Sequence, residues 1–154
     1  MDCIQLSSFI SEKKQINETI VFTNGCFDLL HLGHITYLEE ARTYGDCLIV
    51  GLNSDASVRR LKGDLRPILP EQERARMLAA FQFVDAVCIF EEDTPLNLIQ
   101  TILPHVLIKG GDYAPDTVVG SEVVRQTGGK TIIIPFLDGY STTRLIEKIR
   151  LLSR

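Results

Sequence analysis

Five short runs of the chain, 19–23, 47–52, 86–90, 106–108 and 131–134, are apolar almost without interruption and rich in Val, Ile, Leu and Phe. A strand with one wet face alternates apolar and polar residues; a strand covered on both faces has no polar position to spare. The segments between the runs have helical spacing. Residues 34–44 put Ile35, Leu38 and Ala41 on one face, and 71–83 carry Ala75, Met77, Leu78 and Phe81 among Arg and Glu. Residues 95–103 follow Asp93 and Thr94, read as an N-cap ahead of a proline in the first turn. A last helix starts near Ser141 and repeats Leu145, Ile146, Ile149 and Leu152. Strand alternating with helix predicts the α/β class: a Rossmann-like, doubly wound domain on a five-stranded parallel sheet with right-handed crossovers.

A chain of 154 residues suits one domain, 1–154, with 1–18 as a peripheral N-terminal segment helical from Leu6 to Lys14. That length buries enough surface to need no disulfides. Cys3, Cys26, Cys47 and Cys88 show no C-x-x-C spacing and read as free, mostly buried thiols of a reducing compartment. The net charge of −4 and the 7% of aromatic residues speak against a nucleic-acid binder, though not against a small anionic ligand met by a local cationic cluster. The N-terminus lacks a basic stretch leading into a long apolar one, and no run approaches the about 20 residues that span a bilayer. The expected location is the cytoplasm, with no membrane partner.

In an open parallel sheet the ligand sits beyond the carboxyl ends of the strands. The first run is followed by Asn24-Gly25-Cys26-Phe27-Asp28-Leu29-Leu30-His31-Leu32-Gly33-His34. Gly25 allows close backbone approach, and the next helix offers free N–H groups to a phosphate. His31 and His34 share one face of its first turn, with Gly33 leaving room for an anion, so both rings can donate hydrogen bonds to phosphate oxygens as charge develops. The same pair could serve zinc, but no third ligand is nearby, or could simply pack. A dinucleotide loop would need G-x-G-x-x-G, which is absent.

After the second run, Asn53 to Ile68 holds Arg59, Arg60, Lys62 and Arg66 within eight positions, broken by Gly63 and Pro67. This reads as a mobile cationic loop able to close over a polyphosphate, Lys62 being the best candidate for direct contact; a solvated basic loop is the alternative. After the fourth run, Lys109-Gly110-Gly111-Asp112 either presents amides and a carboxylate to a nucleotide or makes a plain turn. Ser141, Thr142 and Thr143 open the last helix; Ser141 suffices as a cap, so the other hydroxyls suggest a second phosphate-binding helix end.

The stretch from Gly25 to His34 resembles the G-x-F-D-x-x-H-x-G-H signature of the cytidylyltransferase-like nucleotidyltransferases. From about Thr19 to Ile149 the chain is similar to the D-glycero-β-D-manno-heptose 1-phosphate adenylyltransferases of lipopolysaccharide precursor synthesis. The similarity includes Asn53-Ser54-Asp55, Leu61-Lys62-Gly63-Asp64-x-Arg66-Pro67, Phe90-Glu91-Glu92-Asp93-Thr94-Pro95 and Ser141-Thr142-Thr143. The resemblance implies transfer of AMP from ATP to a sugar 1-phosphate with release of pyrophosphate. It assigns catalysis to His31, His34, Lys62 and Thr142. Nucleotide contacts fall to Asn24, Gly25, Cys26, Phe27 and Gly33, to Lys109, Gly110 and Gly111, and to Ser141 and Thr143. Asp28, Asn53, Asp55, Arg66 and Asp112 are left for the hydroxyls and phosphate of the substrate. Mg²⁺ is expected to arrive with ATP, held mainly by the phosphates rather than by protein ligands. A homodimer is expected, and a separate sugar kinase is expected to supply the 1-phosphate.

Two departures point away from enzymes that use CTP: Gln82 and Phe83 precede Val84-Asp85, and Phe136-Leu137 precede the serine-threonine turn, at places where those enzymes have arginine. A cytidylyltransferase acting on glycerol 3-phosphate, and a module that binds nucleotide without consuming it, remain the alternatives.

Overall fold

The computed structural model describes residues 3–152, with side chains from Gln5 onward; the expectation of a buried thiol at Cys3 lies outside the described side chains. Each apolar run forms a strand: β1 (Ile20–Gly25), β2 (Cys47–Asn53), β3 (Ala86–Phe90), β4 (Val106–Gly110) and β5 (Lys130–Ile134). All pair in parallel in the order β3-β2-β1-β4-β5, with Phe22 of β1 opposite Ile49 of β2 on one side and Leu107 of β4 on the other. The chain therefore winds outward from β1 through β2 to β3, then returns to the other side of β1 for β4. That reversal leaves a crevice at the carboxyl ends of β1 and β4.

The strands are apolar throughout because helices cover both faces. Val21, Leu48, Val50 and Ile108 pack on one face against α2 (Leu32–Arg42) and α4 (Glu71–Leu78), through Leu38, Ala41 and Leu78. Ile20, Phe22, Ile49 and Leu107 pack on the other, against α1 (Cys3–Gln15), α5 (Leu96–Ile102) and α6 (Ser121–Gln126), through Leu6, Ile10, Ile99, Ile102 and Val124. Burial of one such side chain contributes about 1.5–3 kcal/mol.

The first half of the segment after β2 is helix rather than loop. Residues Asp55–Lys62 form α3, capped where Ser54 Oγ accepts from Ser57 N at 3.1 Å. Arg59, Arg60 and Lys62 lie along an amphipathic helix whose apolar side buries Val58, so Lys62 is the last helical residue rather than a loop tip. Helix α4 stops at Leu78, short of 83. Pro95 itself, not Asp93 or Thr94, occupies the N-cap of α5, without a side-chain cap. A short 3₁₀ turn at Pro115–Thr117 and helix α6, neither anticipated, bridge β4 to β5. The last helix, α7 (Thr142–Leu152), begins as expected, with Ser141 Oγ accepting from Arg144 N at 3.2 Å. Among the described residues no helix is long and apolar enough to cross a membrane.

Candidate active site

A cleft of about 700 Å³ opens along the carboxyl ends of the strands. Its floor is the turn between β1 and α2. There Phe27 holds a φ of 42°, a backbone region that costs a non-glycine residue energy and persists only when its surroundings impose it. The buried Phe27 ring fills the space beside Gly25, where an added Cβ would lie 3.0 Å from it, and meets the edge of the His34 ring at 5.3 Å. A side chain at Gly25 would therefore press on the Phe27 ring.

His31 is the N-cap of α2 but its side chain does not cap the helix; the His34 amide donates to His31 O at 2.9 Å, which leaves the amides of Leu32 and Gly33 for a ligand. The rings of His31 and His34 stack at 3.8 Å with an 18° tilt. Both Nδ1 atoms are buried without a hydrogen-bond partner. Burial, together with the charge of neighbouring His31, pushes the pKa of His34 down to about 4; burial also lowers that of His31. Both imidazoles are therefore neutral at pH 7, and each leaves one buried ring nitrogen without a partner. At Gly33 an added Cβ would lie 3.0 Å from Tyr140 and 3.1 Å from His31 Nδ1, so a larger residue would push into the pair.

Cationic groups flank the histidines. Lys109 lies half-buried on β4, its Nζ 3.4 Å from Asn24 Oδ1; burial lowers its pKa, Cys26 counteracts this, and the charge of Lys62 lowers it further. Lys62 and Lys109 thus address one space from two sides, a potential suited to a polyphosphate. Cys26 is a free thiol whose pKa is raised by burial, so it is a thiol rather than a thiolate. Ser141, Thr142 and Thr143 close the cleft from α7, and Thr142 Oγ1 donates to Leu29 O at 3.5 Å, tying that helix start to the histidine turn.

The residues assigned to the substrate divide. Asn53 and Arg66 line the cleft, with Asn53 Nδ2 donating to Ser57 Oγ at 3.0 Å. Asp28 reaches the cleft wall, but its carboxylate is buried and engaged: Oδ1 accepts from Ile68 N at 2.7 Å and Leu69 N at 3.1 Å, and Oδ2 accepts from Arg66 Nε. From the cleft wall it pins the 63–69 loop. Asp55 is outside the cleft, its carboxylate paired with Arg74 at 2.7 Å and its amide donating to Glu71. Gly111 and Asp112 do not line the cleft either. Gly111 turns the chain with a φ of 118° and bonds Ile134 O at 3.1 Å, which carries Asp112 outward to an exposed position.

Other groups escaped the sequence reading. Arg74, fully buried on α4, looked like one of several surface charges on that helix. Tyr37 Oη and Thr23 Oγ1 bond at 2.6 Å in the buried wall, and burial raises the tyrosine pKa. Thr94 and Pro95, Tyr113 and Val118, and Phe136 and Tyr140 form the rim, brought there by the ends of different strands. The Phe90–Pro95 stretch carried part of the resemblance without being placed at the site; nothing local could have flagged Arg74. No group of three or more His, Cys, Asp or Glu is placed to hold a metal ion among the described residues.

Comparison with known proteins agrees with this geometry. The cytidylyltransferase-like family model matches residues 22–148. The bifunctional protein HldE of Geotalea uraniireducens is 60% identical over 145 residues, and that of Geobacter sulfurreducens 57% identical over 144. Each match covers 94% of this chain but only 30% and 29% of those proteins, so the chain spans about a third of their length. The crystal structure of a lipopolysaccharide core biosynthesis protein from Thermoplasma volcanium superposes with a TM-score of 0.64 at 28% identity, over 81% of this chain and all of that one. Pantoate-beta-alanine ligase from Francisella tularensis, solved with beta-gamma ATP and beta-alanine, shares the fold at 16% identity, with a TM-score of 0.58 over 97% of this chain and 76% of that one. With residues 22–148 matching the family model and the histidine turn lying in the cleft, the chain belongs to the cytidylyltransferase-like family of nucleotidyltransferases.

Proposed function

We propose that this chain transfers AMP from ATP to a sugar 1-phosphate, D-glycero-β-D-manno-heptose 1-phosphate, giving ADP-heptose and pyrophosphate. The observation that carries the reading is the stacked pair His31 and His34, whose buried Nδ1 atoms lack partners at the floor of a cleft lined by Lys62 and Lys109. ATP lies with its triphosphate between the first turn of α2 and the Ser141–Thr143 start of α7. The 1-phosphate, already anionic at neutral pH, approaches from the side of Lys62 and Arg66. One of its oxygens forms a bond to the α-phosphorus as the bond to the bridging oxygen of the leaving pyrophosphate breaks. No protein nucleophile or general base is required, so catalysis is positioning and stabilisation of charge on the phosphate oxygens. The neutral imidazoles donate to those oxygens, Lys62 and Lys109 neutralise them, and the hydroxyls of Thr142 and Thr143 hold the far end.

The donor set fits a Mg²⁺ ion carried by ATP rather than one caged by the protein, since Asp28 is engaged by Arg66 and two amides and Asp93 is paired with Arg60 at 2.7 Å. When bound, the ion supplies charge neutralisation on the phosphates and on departing pyrophosphate. Phe136 at the rim, where enzymes that use CTP are expected to carry arginine, offers a purine an aromatic face. The same reading includes a cytoplasmic homodimer that takes its sugar 1-phosphate from a sugar kinase, and sedimentation of the purified chain tests the dimer.

The test is a panel of ATP and CTP against several sugar 1-phosphates and glycerol 3-phosphate, with pyrophosphate release and phosphorus NMR of the products. ATP with the heptose 1-phosphate should give the phosphorus doublets of a diphosphate sugar. Turnover confined to CTP and glycerol 3-phosphate would replace the proposal with a cytidylyltransferase. Bound ATP without turnover on any acceptor would make the chain a sensing module.

A further inference from the structure

Arg74 is wholly buried, with each of its three guanidinium nitrogens hydrogen-bonded. Its Nε donates to Leu69 O at 2.9 Å, Nη1 to Cys26 O at 2.6 Å and to Asn53 O at 3.0 Å, and Nη2 to the Asp55 carboxylate at 2.7 Å. A buried cation is costly and is not needed to fill a core, where an apolar residue of similar volume often serves as well or better. What distinguishes this one is what it touches. Cys26 precedes Phe27, whose ring meets His34. Asn53 precedes Ser54, the cap of the helix that ends in Lys62. Leu69 closes the loop that carries Arg66, and its amide is itself held by Asp28. One rigid, planar group therefore bonds each of the three backbone segments that present His34, Lys62 and Arg66 to the cleft.

We infer that Arg74 is a positioning residue: by tying the ends of β1 and β2 to the 63–69 loop, it sets the distance between the histidine floor and the Lys62/Arg66 wall across which the two phosphates meet. It reaches no substrate, since it does not line the cleft. The pairing with Asp55 gives that carboxylate its role, supporting the guanidinium rather than reading a hydroxyl. Lysine would keep the charge but not the fork, because a single ammonium on a flexible stem cannot hold four acceptors spread around a plane. This inference rests on the adenylyl-transfer reading above.

The experiment compares wild type with Arg74→Lys and Asp55→Ala, each assayed well below its own melting temperature. Turnover, acceptor KM and ATP Kd are measured separately. A displacement of about 1 Å in the reacting groups costs on the order of 100-fold in rate. Arg74→Lys should therefore lose about 10- to 100-fold in turnover and raise the acceptor KM, with a much smaller change in ATP Kd. A folded Arg74→Lys protein with wild-type turnover and acceptor KM overturns the inference, because a purely structural residue would lower only the melting temperature. If Arg74→Lys does not fold, Asp55→Ala decides: it removes one of the four contacts, and turnover should fall severalfold, whereas unchanged turnover refutes the role. Wild type that releases no pyrophosphate with any sugar 1-phosphate overturns the underlying reading, and this result is distinct from both of the others.

Discussion

His34 concentrates the chemistry and the thermodynamics at one position. Replacing it with Ala should cut turnover by about 100-fold or more, the scale of losing one preorganised donor, as measured by pyrophosphate release. Its ionisation makes a second prediction. The folded pKa is about 4 and the ordinary value 6.5, so between those pH values the unfolded chain binds the extra proton. Stability therefore rises with pH across that window and falls on acidification, by about 3 kcal/mol for the full difference. His31 is shifted the same way by its own burial. Urea unfolding of wild type and His34→Asn at pH 7 and pH 4.5 should show a shallower acid loss in the variant; equal losses would remove His34 from the account. A phosphate bound beside the ring favours its charged form, so ATP binding near pH 5.5 should be accompanied by proton uptake, detectable by calorimetry in buffers of different ionisation enthalpy.

At the scale of elements, the cleft depends on how segments begin and end. The Ser54 side chain caps α3 through Ser57 N, and Ser57 Oγ in turn donates to Glu92 O at 3.0 Å, so the helix that carries Lys62 is anchored to the end of β3. Ser54→Ala should destabilise the protein by about 1 kcal/mol, read from its denaturation midpoint, and should weaken the contribution of Lys62 to turnover. Strands were legible because a nearly uninterrupted apolar run of three to six residues, recurring between helical segments, has few other uses. The helix after β2 was not, since a segment rich in Arg and Lys with Gly63 and Pro67 beyond it resembles a loop until Val58 is seen to be buried. The bridge from β4 to β5 was missed for a similar reason: helix α6 has only six residues, too few to show a period.

For the molecule as a whole, a ligand that binds only the folded state should stabilise it. Mg²⁺-ATP at a hundred times its Kd adds about 2.7 kcal/mol, an upward shift in melting temperature of roughly 5–10 °C for a domain of this size. No shift with ATP, alongside one with CTP, would argue against adenylyl transfer. The parallel sheet, the location of the cleft at its carboxyl ends and the histidine turn were all implicit in local pattern, because strand burial, helix period and a ten-residue motif are each written within a short stretch. The duties of Asp28, Asp55 and Arg74 were not. Asp28 meets Arg66 across 38 positions, Arg74 meets Cys26 across 48, and Asp55 meets Arg74 across 19. Whether a carboxylate faces a ligand or a guanidinium depends on which distant segment the folded chain brings beside it, and no stretch of sequence contains both partners as neighbours.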